Sequence, residues 1–264
     1  AIMDEKEEEK HGKTGMPQGK GVVNFEHVDF SYVPEKQVLY DFNLEVRAGH
    51  KVALVGATGS GKTTVVNLLM RFYDINAGKI SIDGVDIRDI EMDELRKNIA
   101  IVLQDTVLFS DTIRNNIKYA DLDADDERMK QAAATANCDR MIERMEQEYD
   151  TVLSEGGQNL SQGQRQLLSI ARAMLADPKI LILDEATSSV DTRTEKHIQD
   201  AMVNLMKDRT SLIIAHRLST IQDADFIVVL DEGRIVETGN HEELIEKKGR
   251  YYELYMTQFA GREI

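Results

Sequence analysis

Apolar positions along this chain keep two different periods. They partly alternate over residues 22–32 and again over 38–46, with Pro34-Glu35-Lys36 between, the pattern of two strands joined by a turn. Residues 51–55 form a short apolar run that enters Gly56 directly, and residues 65–72 continue with helical spacing. Further strands are predicted over 79–82, ending at Asp83-Gly84, and over 99–103, ending at Gln104. From about 105 to 175 the period changes. Residues 125–137, 139–146 and 161–176 read as helices with no strand signal between them, which predicts a helical lobe inserted into an α/β core. Residues 180–183 then give a continuous apolar strand ending in Asp184-Glu185. Short strand and helix patterns alternate to the end, among them strands over 211–215 and 226–230. Strands that are apolar throughout belong to a sheet covered on both faces, and their alternation with helices predicts a mainly parallel sheet. No internal repeat is evident.

Residues 1–20 break this pattern. They are charged and Gly-rich, include Glu5-Lys6-Glu7-Glu8-Glu9-Lys10, and read as a flexible linker ahead of a domain over 21–264. The opening Ala1-Ile2-Met3 reads as the start of a cropped piece. A net charge of −15 argues against a general nucleic-acid binder, which calls for a basic face. The single cysteine, Cys138, allows no intrachain disulfide and fits a reducing compartment; it is expected to be an ordinary buried or half-buried thiol. Apolar runs reach only about five residues, against the ~20 a bilayer span needs, and no signal peptide is visible.

Two segments carry chemistry. Gly56-Ala57-Thr58-Gly59-Ser60-Gly61-Lys62-Thr63 matches the phosphate-loop pattern G-x-x-x-x-G-K-[ST], placed as it must be between a buried strand and a helix. Glycines let the backbone curl and approach phosphates, while free N–H groups and the helix N-terminus make an anion site. Lys62 would reach the β- and γ-phosphates, and the Thr63 hydroxyl would ligate Mg²⁺. Asp184, at the end of a buried strand, would hold Mg²⁺ directly or through water, and Glu185 could accept a proton from an attacking water. Two acids at a strand end are often only a solvated turn; the phosphate loop upstream is what gives them a role.

Leu160-Ser161-Gln162-Gly163-Gln164 resembles the LSGGQ signature of the ATP-binding-cassette family and stands just before the second carboxylate strand, in the family's order. Gln162 replaces the usual glycine. The same residues also read as a helix start, with Ser161 capping and Gln164 completing a capping box. The resemblance covers roughly residues 22–260 and implies ATP and Mg²⁺ as ligands. It implies a P-loop, RecA-like core with an antiparallel N-terminal β-subdomain and an inserted helical subdomain. It also implies a head-to-tail dimer in which the signature of one copy meets the ATP of another. By the same resemblance, Tyr32 stacks on adenine; Gly56, Thr58, Gly59, Ser60, Gly61, Lys62, Thr63 and Thr64 hold the phosphates; and Gln104 touches Mg²⁺ or the attacking water. Ser161, Gln162, Gly163 and Gln164 contact the partner's nucleotide, Ser189-Val190-Asp191 forms the loop crossing the dimer, and His216 bonds the γ-phosphate.

The segment Gln104-Asp105-Thr106-Val107-Leu108-Phe109, with Thr112-Ile113 and Asn116-Ile117, resembles the exporter branch, as does the loop over 151–157 with Glu155, where Ser154 replaces a common glycine. In exporters both segments receive the cytoplasmic coupling helices of a membrane domain; the plainer reading is that Leu108 and Phe109 are core residues of the helical lobe. The resemblance therefore implies the motor of an exporter on the cytoplasmic face of a membrane, joined to a membrane domain and to a second nucleotide-binding domain. An importer motor, a soluble cassette protein and a non-hydrolysing nucleotide sensor are the alternatives.

Overall fold

The computed structural model describes residues 12–103, 106–184, 192–214 and 218–258. Along the chain run β1 (Val23–Val33), β2 (Lys36–Val46), β3 (Lys51–Val55), α1 (Lys62–Leu69), β4 (Ala77–Ile82), β5 (Val85–Asp86), α2 (Met92–Lys97) and β6 (Ile99–Val102). Four helices follow: α3 (Ile113–Lys118), α4 (Asp126–Thr135), α5 (Asp139–Ile142) and α6 (Gln162–Ala176). Then come β7 (Ile180–Asp184), α7 (Thr192–Met206), β8 (Thr210–Ile214) and α8 (Leu218–Gln222). The chain continues through β9 (Phe226–Asp231), β10 (Arg234–Gly239), α9 (His241–Lys247) and α10 (Arg250–Gln258).

Two sheets carry the fold. One is antiparallel, in the order β2-β1-β4-β5; the other runs β10-β9-β3-β8-β7-β6. In the second, β9, β3, β8, β7 and β6 are parallel, and β10 alone runs antiparallel, against β9. This is the P-loop, RecA-like α/β architecture, with an N-terminal antiparallel subdomain and an inserted helical subdomain.

The continuous apolar strands have a simple cause. Successive side chains point to opposite faces. Ala53, Val55, Leu181, Leu183, Ile213, Ile227 and Val229 pack against the helical lobe, with Leu167, Leu168 and Ile170 of α6. Val52, Leu54, Ile180, Ile182, Leu212, Ile214, Val228 and Leu230 face the other way, onto Val65, Leu68 and Leu69 of α1 and onto Phe25 and Ile80 of the antiparallel sheet. Each such side chain contributes about 1.5–3 kcal/mol by leaving water. In these strands the charges stand at the ends, as Lys51, Asp184 and Asp231 do.

Some boundaries differ from the sequence reading. Helix α1 begins at Lys62 rather than Val65, because Gly61, at φ 108, turns the chain into it. The helix expected over 139–146 stops at Ile142, and a single 3-10 turn follows at Glu148–Asp150. An antiparallel bridge between Thr112 and Val152 crosses the lobe expected to hold helices alone.

Within the segment read as a linker, residues 13–17 are tied down. The N–H groups of Lys13 and Thr14 both donate to Asp89 O, and Glu91 N–H donates to Thr14 O at 2.9 Å. Lys179 Nζ donates to Pro17 O at 2.8 Å, and Met16 packs on the second core. Each of these hydrogen bonds ends on a main-chain carbonyl, so a charged composition did not announce the anchoring. Cys138 is fully buried, with its Sγ donating to Ala133 O. No helix among the described residues is long and apolar enough to cross a membrane.

Candidate nucleotide site

Because β3, β8, β7 and β6 are parallel neighbours, their C-terminal ends share one edge of the sheet. Such edges are where open α/β sheets bind ligands. The phosphate loop leaves β3 there, and Asp184 ends β7 there. The strands β8 and β6 end two residues before His216 and Gln104 respectively. Gln104, Glu185, Asp191 and His216 themselves lie outside the described residues.

The loop's donors suit an anion. Gly61 caps α1 with no side-chain cap. Among the described residues, the N–H groups of Lys62, Thr63 and Thr64 have no backbone acceptor, and the first to find one is that of Val65, on Gly61 O. With that of Gly61, which also has no backbone acceptor, four free N–H groups at a helix start, carrying the positive end of the helix dipole, form an anion site. Lys62 is buried, and its Nζ donates to the carbonyls of Gly56 at 2.7 Å and Ala57 at 2.9 Å. Burial lowers its pKa, opposed by the nearby charge of Asp184. An ammonium held by two carbonyls inside an N–H cradle, within the field of one carboxylate, fits a polyphosphate. Thr63 is exposed and Ser60 buried.

The chemistry of the donors fits Mg²⁺ as well. Among the described residues no group of three or more His, Cys, Asp or Glu could hold a metal. A cation here would rest on one carboxylate, one hydroxyl, water and phosphate oxygens, the usual habit of Mg²⁺. Asp184 and Thr63 are the residues present to supply the first two.

Tyr32 stands beside this loop. Its hydroxyl donates to Thr64 Oγ1 at 3.2 Å and accepts from Asn67 Nδ2 at 3.2 Å. Its ring meets Phe30 and Tyr73 edge-on, with centroids 4.8 and 4.9 Å away, and stays 43% exposed. Spacing alone did not predict this tie between the aromatic platform and α1.

The signature residues are elsewhere, at the start of α6 in the helical lobe. Ser161 Oγ accepts from Gln164 N–H at 3.2 Å, and Gln164 Oε1 accepts from Ser161 N–H at 2.8 Å, a complete capping box. Gly163 is buried and Gln162 is partly so. Among the described residues none of these four bonds to the phosphate loop of the same chain. A cavity of about 910 Å³ opens between α5, α6 and α7 with Gln164 on its rim.

The segment after Gln104 is organised by two residues whose role the sequence did not reveal. Asn116, buried in α3, accepts from Phe109 N–H and donates to the carbonyls of Phe109 and Thr112. Arg172 of α6 donates to Asn116 O and Val107 O and packs on the rings of Phe109 and Tyr119. Leu108 is core, as the plainer reading expects, whereas Val107, Phe109, Tyr119 and Val152 remain exposed. Gly157, in the loop ahead of the signature, lies against Leu108 and Arg165.

The profile of the family described as ABC transporter matches residues 39–188. An uncharacterized ABC transporter ATP-binding protein of Bacillus subtilis is 54% identical over 260 residues, which are 98% of this chain and 43% of that protein. A fatty acid ABC transporter ATP-binding/permease protein of Mycobacterium bovis is 51% identical over 96% of this chain and 40% of its own length. An ATP-dependent lipid A-core flippase of Hahella chejuensis is 50% identical over 98% and 44%. Among solved structures, a bacterial Atm1-family ABC exporter with ATP bound superposes with a TM-score of 0.87 at 41% identity, covering 97% of this chain and 44% of the exporter chain. The chain thus spans less than half the length of these relatives. Fold, strand-edge site and matched span agree, and the chain belongs to the ABC transporter family.

Proposed function

We propose that this chain is the ATP-hydrolysing motor domain of an ABC exporter, working at the cytoplasmic face of a membrane with a membrane domain and a second nucleotide-binding domain. The observation that carries the reading is the uncapped N–H cradle at Gly61–Thr64 with the buried Lys62 ammonium beside Asp184. Exporter-type relatives at 50–51% identity, and the superposition on an ATP-bound exporter, support the branch. The apolar surface of Val107, Phe109, Tyr119 and Val152 suits the docking of a membrane domain.

In this reading Tyr32 stacks on adenine. The N–H groups of Gly61 to Thr64, with Gly56, Thr58, Gly59 and Ser60 shaping the curl, bind the phosphates. Lys62 neutralises charge on the β- and γ-phosphate oxygens. Thr63, Asp184 and Gln104 hold Mg²⁺, which when bound neutralises phosphate charge. Glu185 takes a proton as water attacks the γ-phosphorus, the bond to the β-phosphate oxygen breaks, and ADP leaves. His216 bonds the γ-phosphate. Ser161, Gln162, Gly163 and Gln164 of a second copy complete the site, and Asp191 lies at the junction of the two copies. Charge-assisted bonds that need the γ-phosphate hold the pair together and release it after hydrolysis.

The test is Glu185→Gln. It should keep Mg·ATP binding, nearly abolish turnover and trap an ATP-bound dimer, whereas undiminished steady-state hydrolysis would refute Glu185 as the base. Lys62→Ala should abolish affinity and turnover together.

A further inference from the structure

The hairpin of β9 and β10 turns through Glu232 and Gly233, both left-handed at φ 45 and φ 76, while Asp231 pairs with Arg234. This is the two-residue turn that matches strand twist. Its tip does more than reverse the chain. Gly233 N–H donates to Ser60 O of the phosphate loop at 3.1 Å, and Gly233 O accepts from Tyr40 N–H of β2 at 3.1 Å. The Arg234 guanidinium lies 4.7 Å from the Tyr40 ring centroid. One glycine thus joins both sheets to the loop.

The position admits no side chain. A Cβ on Gly233 would stand 2.0 Å from Val38 O and 3.1 Å from Tyr40 Cδ2. The acceptor it engages matters too. In an α-helix the N–H of Thr64 would bond to the carbonyl four residues back, which is Ser60 O. Here Gly233 holds that carbonyl, no backbone bond from Thr64 reaches it, and the helical ladder starts only at Val65 on Gly61 O.

We propose that Gly233 is a positioning residue for the phosphate loop: the hairpin tip holds the Ser60 carbonyl out of the α1 ladder and so keeps the Thr64 N–H free for a nucleoside triphosphate. Gly233 touches no phosphate itself. This inference rests on the proposed ATP-binding function.

A built-in control exists at the β4–β5 hairpin, where Asp83 and Gly84 repeat the same turn at φ 48 and φ 84 with open space around the missing Cβ. Gly84→Ala therefore introduces the same backbone strain without the collision. Binding of Mg·ATP and of adenosine is measured on wild type, Gly233→Ala and Gly84→Ala. Gly233→Ala should lower the ratio of Mg·ATP to adenosine affinity about tenfold, the equivalent of one hydrogen bond to a charged group, and Gly84→Ala should leave the ratio unchanged. An undiminished ratio in Gly233→Ala overturns this inference alone. A wild-type chain with no Mg·ATP affinity overturns the proposed function and this inference with it. Should Gly233→Ala fail to fold, hydrogen exchange on wild type decides. Mg·ATP should slow exchange over residues 231–236 together with 58–64; slowing at 58–64 alone overturns the proposal.

Discussion

Arg172 holds Asn116 twice, donating from Nε to its main-chain oxygen at 2.9 Å and from a terminal nitrogen to its side-chain oxygen at 3.2 Å. Burial lowers the guanidinium's pKa, opposed by Tyr119; two aromatic rings and three oxygens surround it. The bond joins the signature helix to the exposed segment that carries Phe109 and Tyr119.

Removing that guanidinium takes the donor from the part-buried main-chain oxygen of Asn116 and the cation from two rings. Arg172→Met should destabilise the chain by about 2 kcal/mol, read as a lower urea midpoint. Arg172→Lys should recover little, because a point charge cannot reproduce the planar fork or its stacking. A lysine variant as stable as wild type would refute the fork's role.

Ser161 serves two purposes that a single substitution can separate. Loss of its cap should lower stability by about 1 kcal/mol in Ser161→Ala, seen as a fall of a few degrees in Tm. Restoring a cap with Ser161→Asp should recover the Tm yet leave ATP turnover depressed, since a carboxylate repels phosphate. Full turnover in Ser161→Asp would remove the signature from the proposed composite site.

Tyr32 predicts a graded loss. Tyr32→Phe keeps the ring between Phe30 and Tyr73 but gives up the bonds to Thr64 and Asn67. It should weaken ATP binding about threefold, against tenfold or more for Tyr32→Ala, by titration calorimetry. Equal losses would mean that the hydroxyl, not the ring face, carries the contact.

Alkaline pH should unfold the chain through Cys138. Burial pushes its thiol up to about 12. The folded state prefers the neutral thiol, so the stability tied to it is complete below the unfolded pKa of about 8.5 and is lost as pH rises toward 12. Tyr149, also pushed up to about 12 by burial, acts in the same direction. Urea midpoints measured from pH 8 to 11 should fall, and Cys138→Ala should flatten that fall. Thiol reagents should label Cys138 only after unfolding.

Much of the fold was legible because its signals are local. Strands β3 and β7 showed as unbroken apolar runs, since both faces of their sheet are covered. The phosphate loop and the cap at Ser161 showed because each depends on residue types at short spacing. What stayed hidden depends on pairs distant in sequence. Gly233 reads as a turn glycine until Ser60 lies beside it, and Arg172 reads as one charge on an amphipathic helix until Asn116 meets it. The start of α1 was misread because apolar periodicity begins at Val65, whereas the turn of helix before it, Lys62 to Thr64, is polar.

The anchoring of residues 13–17 has a mechanical consequence. Tension on the backbone at Lys13 enters the molecule through Asp89 and Glu91, at the front of α2, and through Lys179, the residue immediately ahead of β7. Strand β7 carries Asp184 at its far end. A tug from upstream is thus delivered to the start of the strand whose far end carries Asp184, the carboxylate proposed to hold Mg²⁺.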